Sequence, residues 1–141
     1  MHIFIITDSP SSGTGFSEQM RHITFRLAQN GHEISWLGLQ YFGYPTYYLD
    51  TMFPDLPHKN SKIRMLGNYG DPKRFGADIF TKHYKEFVPD IILLMGDPYT
   101  LEPYIRLKKQ LGVPLIHYVT LDGLPIYPTW KETLKIPNIL I

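Results

Sequence analysis

The chain has 141 residues, 43% of them hydrophobic, with 14 Lys and Arg against 13 Asp and Glu for a formal net charge of +1, and it has no cysteine. A chain of this length buries roughly two-thirds of its unfolded surface around a single core, so one domain is expected. The scattered, nearly balanced charge excludes a basic stripe for a nucleic-acid backbone, and the missing cysteines exclude disulfides and thiolate metal sites and favour the cytosol.

The first apolar run, Ile3-Phe4-Ile5-Ile6-Thr7, stops at Asp8 and has no positively charged segment before it, which makes it a strand and not a secretion signal. Directly after it, Ser9-Pro10-Ser11-Ser12-Gly13-Thr14-Gly15-Phe16-Ser17 reads as a glycine-rich turn into a helix. Glycines at 13 and 15 permit positive φ and close backbone approach, and the open N–H groups of a helix start attract anions. Two readings follow: a cradle for a phosphate-bearing ligand, or simply a tight strand-to-helix turn.

The surroundings exclude two nucleotide classes. Where a dinucleotide fingerprint needs its third small residue, this chain has Glu18, and the second strand runs out into Gly38-Leu39-Gln40 with no acidic residue for a ribose. No Gly-Lys-Ser/Thr follows any glycine loop, so a P-loop triphosphatase is excluded as well.

Phe16, Met20, Ile23, Leu27 and Ala28 recur at helical spacing, and Asn30-Gly31 supplies the stop. A second strand covers His32 to Leu37. The segment from Gln40 to Lys62 is rich in Tyr and Phe and broken by prolines, so it is either the wall of an acceptor site or an irregular packed loop closing the sheet edge. A third strand is expected over Ile63–Leu66 and a helix from about Gly76 to Phe87. Ile91-Ile92-Leu93-Leu94-Met95, apolar on both faces, is the central strand, and it is far too short to cross a bilayer. A helix from roughly Thr100 to Leu111 and a fifth strand from Val113 to Val119 complete the alternation. Pro137–Ile141 reads as the start of a sixth strand, so the chain is expected to continue. This order predicts an open, doubly wound parallel sheet, Rossmann-like, in strand order 3-2-1-4-5 with helices on both faces.

Ligands of such sheets sit outside the carboxyl ends of the strands. Asp8, Asp97 in Gly96-Asp97-Pro98-Tyr99, and Thr120 and Asp122 in Thr120-Leu121-Asp122-Gly123 are delivered there. Aspartates in such places also cap helices or make turns. Asp122 precedes a glycine and no immediate helix, so it is the leading functional candidate. Asp97 before Pro98 doubles as a helix start. His117 inside a strand and His22 on a helix are poor candidates for a general base. No paired spacing supports a metal held by Asp8, Asp97 and Asp122, and none is expected.

Pro10-Ser11-Ser12-Gly13-Thr14-Gly15 before a helix, Asn30-Gly31-His32-Glu33-Ile34, Phe75-Gly76-Ala77-Asp78, Pro89-Asp90-Ile91-Ile92, Met95-Gly96-Asp97, Gly112-Val113-Pro114-Leu115-Ile116, Asp122-Gly123 and Trp130 follow one another in an order that resembles the amino-terminal domain of retaining glycosyltransferases of family four, which have the two-domain GT-B architecture. The resemblance implies transfer of a sugar from a nucleotide-sugar donor to a sugar, lipid or protein acceptor, with retention and without an obligatory metal or other cofactor. It implies that this chain is the acceptor-side half, that most of the donor is held by a carboxyl-terminal domain this chain does not include, and that peripheral membrane contact is possible. By position it assigns Gly13, Thr14 and Gly15 to the donor phosphates. Asp97, Tyr99 and Thr120 fall to the substrate cleft, and Asp122 stands where many members place a histidine near the reacting sugar. The competing expectation is a free-standing flavodoxin-like module that binds a nucleotide or sugar without catalysis. A receiver-like phosphorylation pocket is disfavoured, because no lysine lies between Ile116 and Tyr127.

Overall fold

The computed structural model describes residues 1–43, 46–47, 62–69, 75–121 and 125–141. In chain order these form β1 (His2–Thr7), α1 (Gly15–Gln29), β2 (Glu33–Gly38), β3 (Thr46–Tyr47), β4 (Ile63–Gly67), α2 (Ala77–Glu86), β5 (Ile91–Met95), α3 (Pro98–Leu111), β6 (Leu115–Tyr118), α4 (Pro128–Leu134) and β7 (Ile139–Leu140). The strands make one sheet in the order β3-β4-β2-β1-β5-β6-β7. All pairings are parallel except that of β3 with β4. In the numbering of the five expected strands this is the expected order 3-2-1-4-5, with the sixth strand added beyond the fifth. Two elements go beyond that reading: the two-residue antiparallel edge strand β3 inside the aromatic segment, and α4. The rest of the aromatic segment, residues 44–45 and 48–61, lies outside the described residues.

Register follows from alternation. Ile3, Ile5 and Met95 pack with Met20, Ile34, Trp36 and Met65 on the face covered by α1. Phe4, Ile6, Ile92 and Leu94 face the other way, onto Phe80 of α2 and Leu101, Tyr104 and Ile105 of α3. Sliding one strand by one residue would exchange these two sets, so double-sided burial fixes the pairing. Aromatic edges lock the second face. Phe4 meets Phe80 edge-on at 5.3 Å, and Phe80 meets Tyr104 at 5.4 Å. Each of these side chains removed from water contributes about 2 kcal/mol by area, plus up to about 1 kcal/mol from ring geometry.

The helix ends obey the local chemistry. Thr14 caps α1, and the chain leaves that helix through Gly31 at φ +80. Pro98 occupies the first turn of α3, where its missing N–H costs nothing, and Gly112 ends α3 at φ +66. The same proline signal opens α4, whose N-cap is Tyr127.

Candidate functional site

Because β1, β5 and β6 are adjacent and parallel, the segments that leave their carboxyl ends emerge together on one edge. Two neighbouring cavities lie there. One, of about 480 Å³, is lined by Asp97, Tyr99, Thr120, Tyr127 and Trp130 among others. The second, of about 350 Å³, is bordered by Asp8, Phe16, Gln40, Gly96, Asp97 and Tyr99. Asp97 and Tyr99 stand between the two and belong to both.

The glycine loop is organised around Asp8. Thr14 Oγ1 donates to Asp8 Oδ2 at 2.6 Å and accepts from the Ser17 N–H at 3.2 Å. Gln40 Nε2 donates to Asp8 Oδ1 at 2.7 Å, and Gln40 Oε1 accepts from the Ser9 N–H. The Trp36 indole donates to the Asp8 carbonyl at 3.2 Å, so a buried side chain of the sheet pins the loop from beneath. Thr14 thus has its hydroxyl engaged on both sides. Of the two glycines, only Gly13 takes a positive φ, at +70. A Cβ at Gly13 or Gly15 would meet nothing within 4 Å, so the space outside the loop is open. Gly13, Thr14 and Gly15 do not line either cavity, although Asp8 and Phe16 on both sides of them do.

Two aromatic walls flank the larger cavity. Tyr127 and Trp130 stand edge-to-face with centroids 5.0 Å apart, and Tyr127 is 65% exposed. Tyr99, 54% exposed, lies against Phe75 at 6.3 Å. Phe75 has φ +49, a left-handed conformation that a bulky side chain adopts only when its surroundings hold it there. The buried Tyr104 hydroxyl holds it by donating to the Phe75 carbonyl, and Gly76 follows at φ +84. Gly76 is itself constrained, since a Cβ there would lie 2.5 Å from Asn68 Oδ1. Burial pushes the Tyr104 hydroxyl well above its ordinary pKa, so it remains a donor.

Among the described residues, the charged side chains lining the two cavities are Asp8 and Asp97, and no Lys, Arg or His lines either. Such a surface repels phosphate and accepts hydrogen bonds from hydroxyl groups, while its rings offer apolar faces. Asp97 is half-buried and forms no side-chain cap to α3. His117 is fully buried in β6, with Nε2 at 3.3 Å from the Gly96 carbonyl, and burial lowers its pKa. It supports the floor under Gly96 and lines neither cavity. His22 is exposed, 3.2 Å from Glu18. No cluster of metal-ligating side chains is present among the described residues.

The structure therefore joins Asp97, Tyr99 and Thr120 in one cleft and sets the Gly13–Gly15 loop beside it. Asp122 lies outside the described residues. Tyr127 and Trp130 are additions: Trp130 entered the sequence reading only as a landmark, and Tyr127 carried no signal until α4 placed it. The Tyr127-Pro128 dipeptide, which starts a helix as Asp97-Pro98 does, was the cue available.

These features define an α/β Rossmann-like domain with its crevice at the carboxyl ends of the parallel strands. No family model and no curated protein matches the chain. Solved structures do. The UDP-GlcNAc 2-epimerase of Methanocaldococcus jannaschii is similar with a TM-score of 0.56 at 15% identity, over 99% of this chain and 38% of that one. Arabidopsis thaliana UGT89C1 complexed with UDP is similar with a TM-score of 0.53 at 12% identity, over 99% of this chain and 44% of that one. The likeness is one of fold, of the GT-B type, and the chain spans less than half the length of either structure.

Proposed function

We propose that the chain is the acceptor-side, amino-terminal half of a GT-B glycosyltransferase that moves a sugar from a nucleotide-sugar donor to an acceptor with retention. The observation that carries this reading is the cleft of Asp97, Tyr99, Thr120, Tyr127 and Trp130. Its chemistry suits an uncharged hydroxylated ring: a carboxylate and a hydroxyl to orient hydroxyl groups, and aromatic faces against which the ring can lie. The structures of similar fold named above are those of a UDP-GlcNAc 2-epimerase and of a protein complexed with UDP, which supports nucleotide-sugar chemistry for the class.

In this reading Asp97 and Thr120 orient the acceptor hydroxyl, and Tyr127, Trp130 and Tyr99 exclude water from one side. Positioning of this kind, and not acid-base chemistry by this half, is its contribution to rate. The leaving diphosphate develops negative charge and is held by the second domain, with the Gly13–Gly15 loop offering N–H groups from this side. Asp122 keeps its sequence-based assignment as the carboxylate facing the positive charge that develops on the sugar.

The test is transfer by a protein carrying this chain with the second domain, over a panel of nucleotide sugars and acceptors, with the anomeric configuration of the product read by NMR. Retained-anomer product, reduced at least tenfold by Asp97→Asn, supports the proposal. Binding of sugar without turnover by any such protein points to the non-catalytic module. Interconversion of the donor without an acceptor points to an epimerase.

A further inference from the structure

We propose that a second site, on the edge of the sheet opposite the cleft, binds a phosphate-bearing anion. The segments that enter β6 and β7 run side by side there, because those strands are parallel, and between them lies a groove of about 590 Å³. Lys108 and Lys109 from the last turn of α3 and Lys135 from the segment before β7 line it. Lys135 is partly neutralised by Glu132, at 2.6 Å. Neither Lys108 nor Lys109 has an ion-pair partner among the described residues.

Neutral donors complete the groove. Asn138 accepts from the Leu115 N–H through Oδ1 at 2.9 Å, so its Nδ2 is left as a donor that no described residue uses. Gly112 turns the chain through φ +66 at the end of α3, and the following Val113 N–H takes part in no hydrogen bond among the described residues. The carbonyl end of α3 contributes partial negative charge, about half an elementary charge, which the ammonium groups of Lys108 and Lys109 outweigh. The contrast with the cleft is complete: that edge presents Asp8 and Asp97, this one lysines. One end of the sheet thus suits a neutral ring and the other an anion, and the second site does not depend on the first.

The same chemistry fits a free phosphate compound or the headgroup of an anionic lipid. Beyond the groove, Ile139 and Leu140 of the edge strand β7 are 51% and 47% exposed, apolar surface that a bilayer would cover and a soluble anion would not. The experiment has two arms on the full chain. In the first, inorganic phosphate is titrated while backbone amides are followed by NMR. Shifts at Gly112, Val113 and Asn138 are expected, with affinity falling about five-fold for each lysine removed in Lys108→Gln/Lys109→Gln. In the second, co-sedimentation compares phosphatidylcholine vesicles with vesicles that also contain phosphatidylglycerol. The control in both arms is Lys82→Gln/Lys85→Gln, the same charge change on the exposed side of α2. Vesicle binding lost only in the groove variant assigns a headgroup, and phosphate binding without vesicle binding assigns a soluble ligand. Binding of neither probe, or equal losses in the groove and control variants, overturns the proposal.

Discussion

Thr14 Oγ1 donates to Asp8 Oδ2 at 2.6 Å while accepting from the Ser17 N–H, so one hydroxyl ties the end of β1 to the start of α1. The carboxylate in turn is held by Gln40 from the segment after β2. The ends of β1 and β2 and the start of α1 therefore share one hydrogen-bonded knot. Thr14→Ala loses the cap and leaves Asp8 one donor short, a cost of about 1–2 kcal/mol. Asp8→Ala alone should cost a similar amount, and the double variant less than the sum, because both remove the same bond. Chemical denaturation of the four proteins measures the coupling. Strict additivity would mean that the bond contributes nothing.

The backbone at Gly76 is predicted to be less tolerant than at Gly31. Both have positive φ, so an alanine at either is strained by about 1–2 kcal/mol. Only at Gly76 does the new methyl collide, 2.5 Å from Asn68 Oδ1, whereas at Gly31 it meets open space. Gly76→Ala should therefore lower the melting temperature clearly more than Gly31→Ala. It should also disturb the Phe75–Tyr99 wall, visible as a change in Tyr99 side-chain shifts.

Stability should fall on acidification through a pathway set by buried histidine. His117 and His83 are buried, and desolvation lowers the pKa of both below 6.5. The native state therefore binds fewer protons than the unfolded chain once pH drops below 6.5. By linkage, their stabilisation is fully present above that value and is lost as pH falls toward the depressed folded pKa. His117→Phe cannot take up a proton, so the slope of unfolding free energy against pH should shrink below 6.5, whatever the variant does to stability at neutral pH. An unchanged slope would show that His117 takes no part.

How much of this could be read from residues alone differs between the sheet and the site. The strand order was legible because Ile91–Met95 is apolar throughout and the β-rich and helical periods alternate, which leaves few parallel topologies. The placement of Asp97 and Thr120 at the carboxyl ends of β5 and β6 was legible, because the strand boundaries were. The aromatic half of the cleft was not. Tyr127 and Trp130 join it only through α4, a seven-residue helix too short to leave a periodic signature. The pairing of Thr14 with Asp8 was equally hidden, since a serine- and glycine-rich loop has the same composition whether its hydroxyls face a ligand or the chain itself.

Removing aromatic surface from the cleft should separate binding from folding. Tyr127 is largely exposed and Trp130 half-buried, so Tyr127→Ala should change stability by less than about 0.5 kcal/mol, and Trp130→Ala by somewhat more. If the rings stack on a sugar, each loss should weaken saccharide affinity about five- to tenfold. Equal affinity in the variants would assign the pair to packing between α4 and its surroundings.

The most direct measurement is an NMR titration of the isotopically labelled chain with a panel of mono- and disaccharides, run beside UDP. If the cleft holds a sugar ring, at least one saccharide gives saturable shifts at the Trp130 indole and at the amides of Tyr99 and Thr120, and UDP leaves those three signals in place. Shifts there with UDP but with no saccharide would contradict that, because a cleft that carries Asp97 and no lysine, arginine or histidine among its described residues would then hold the charged part of the donor and not a sugar ring.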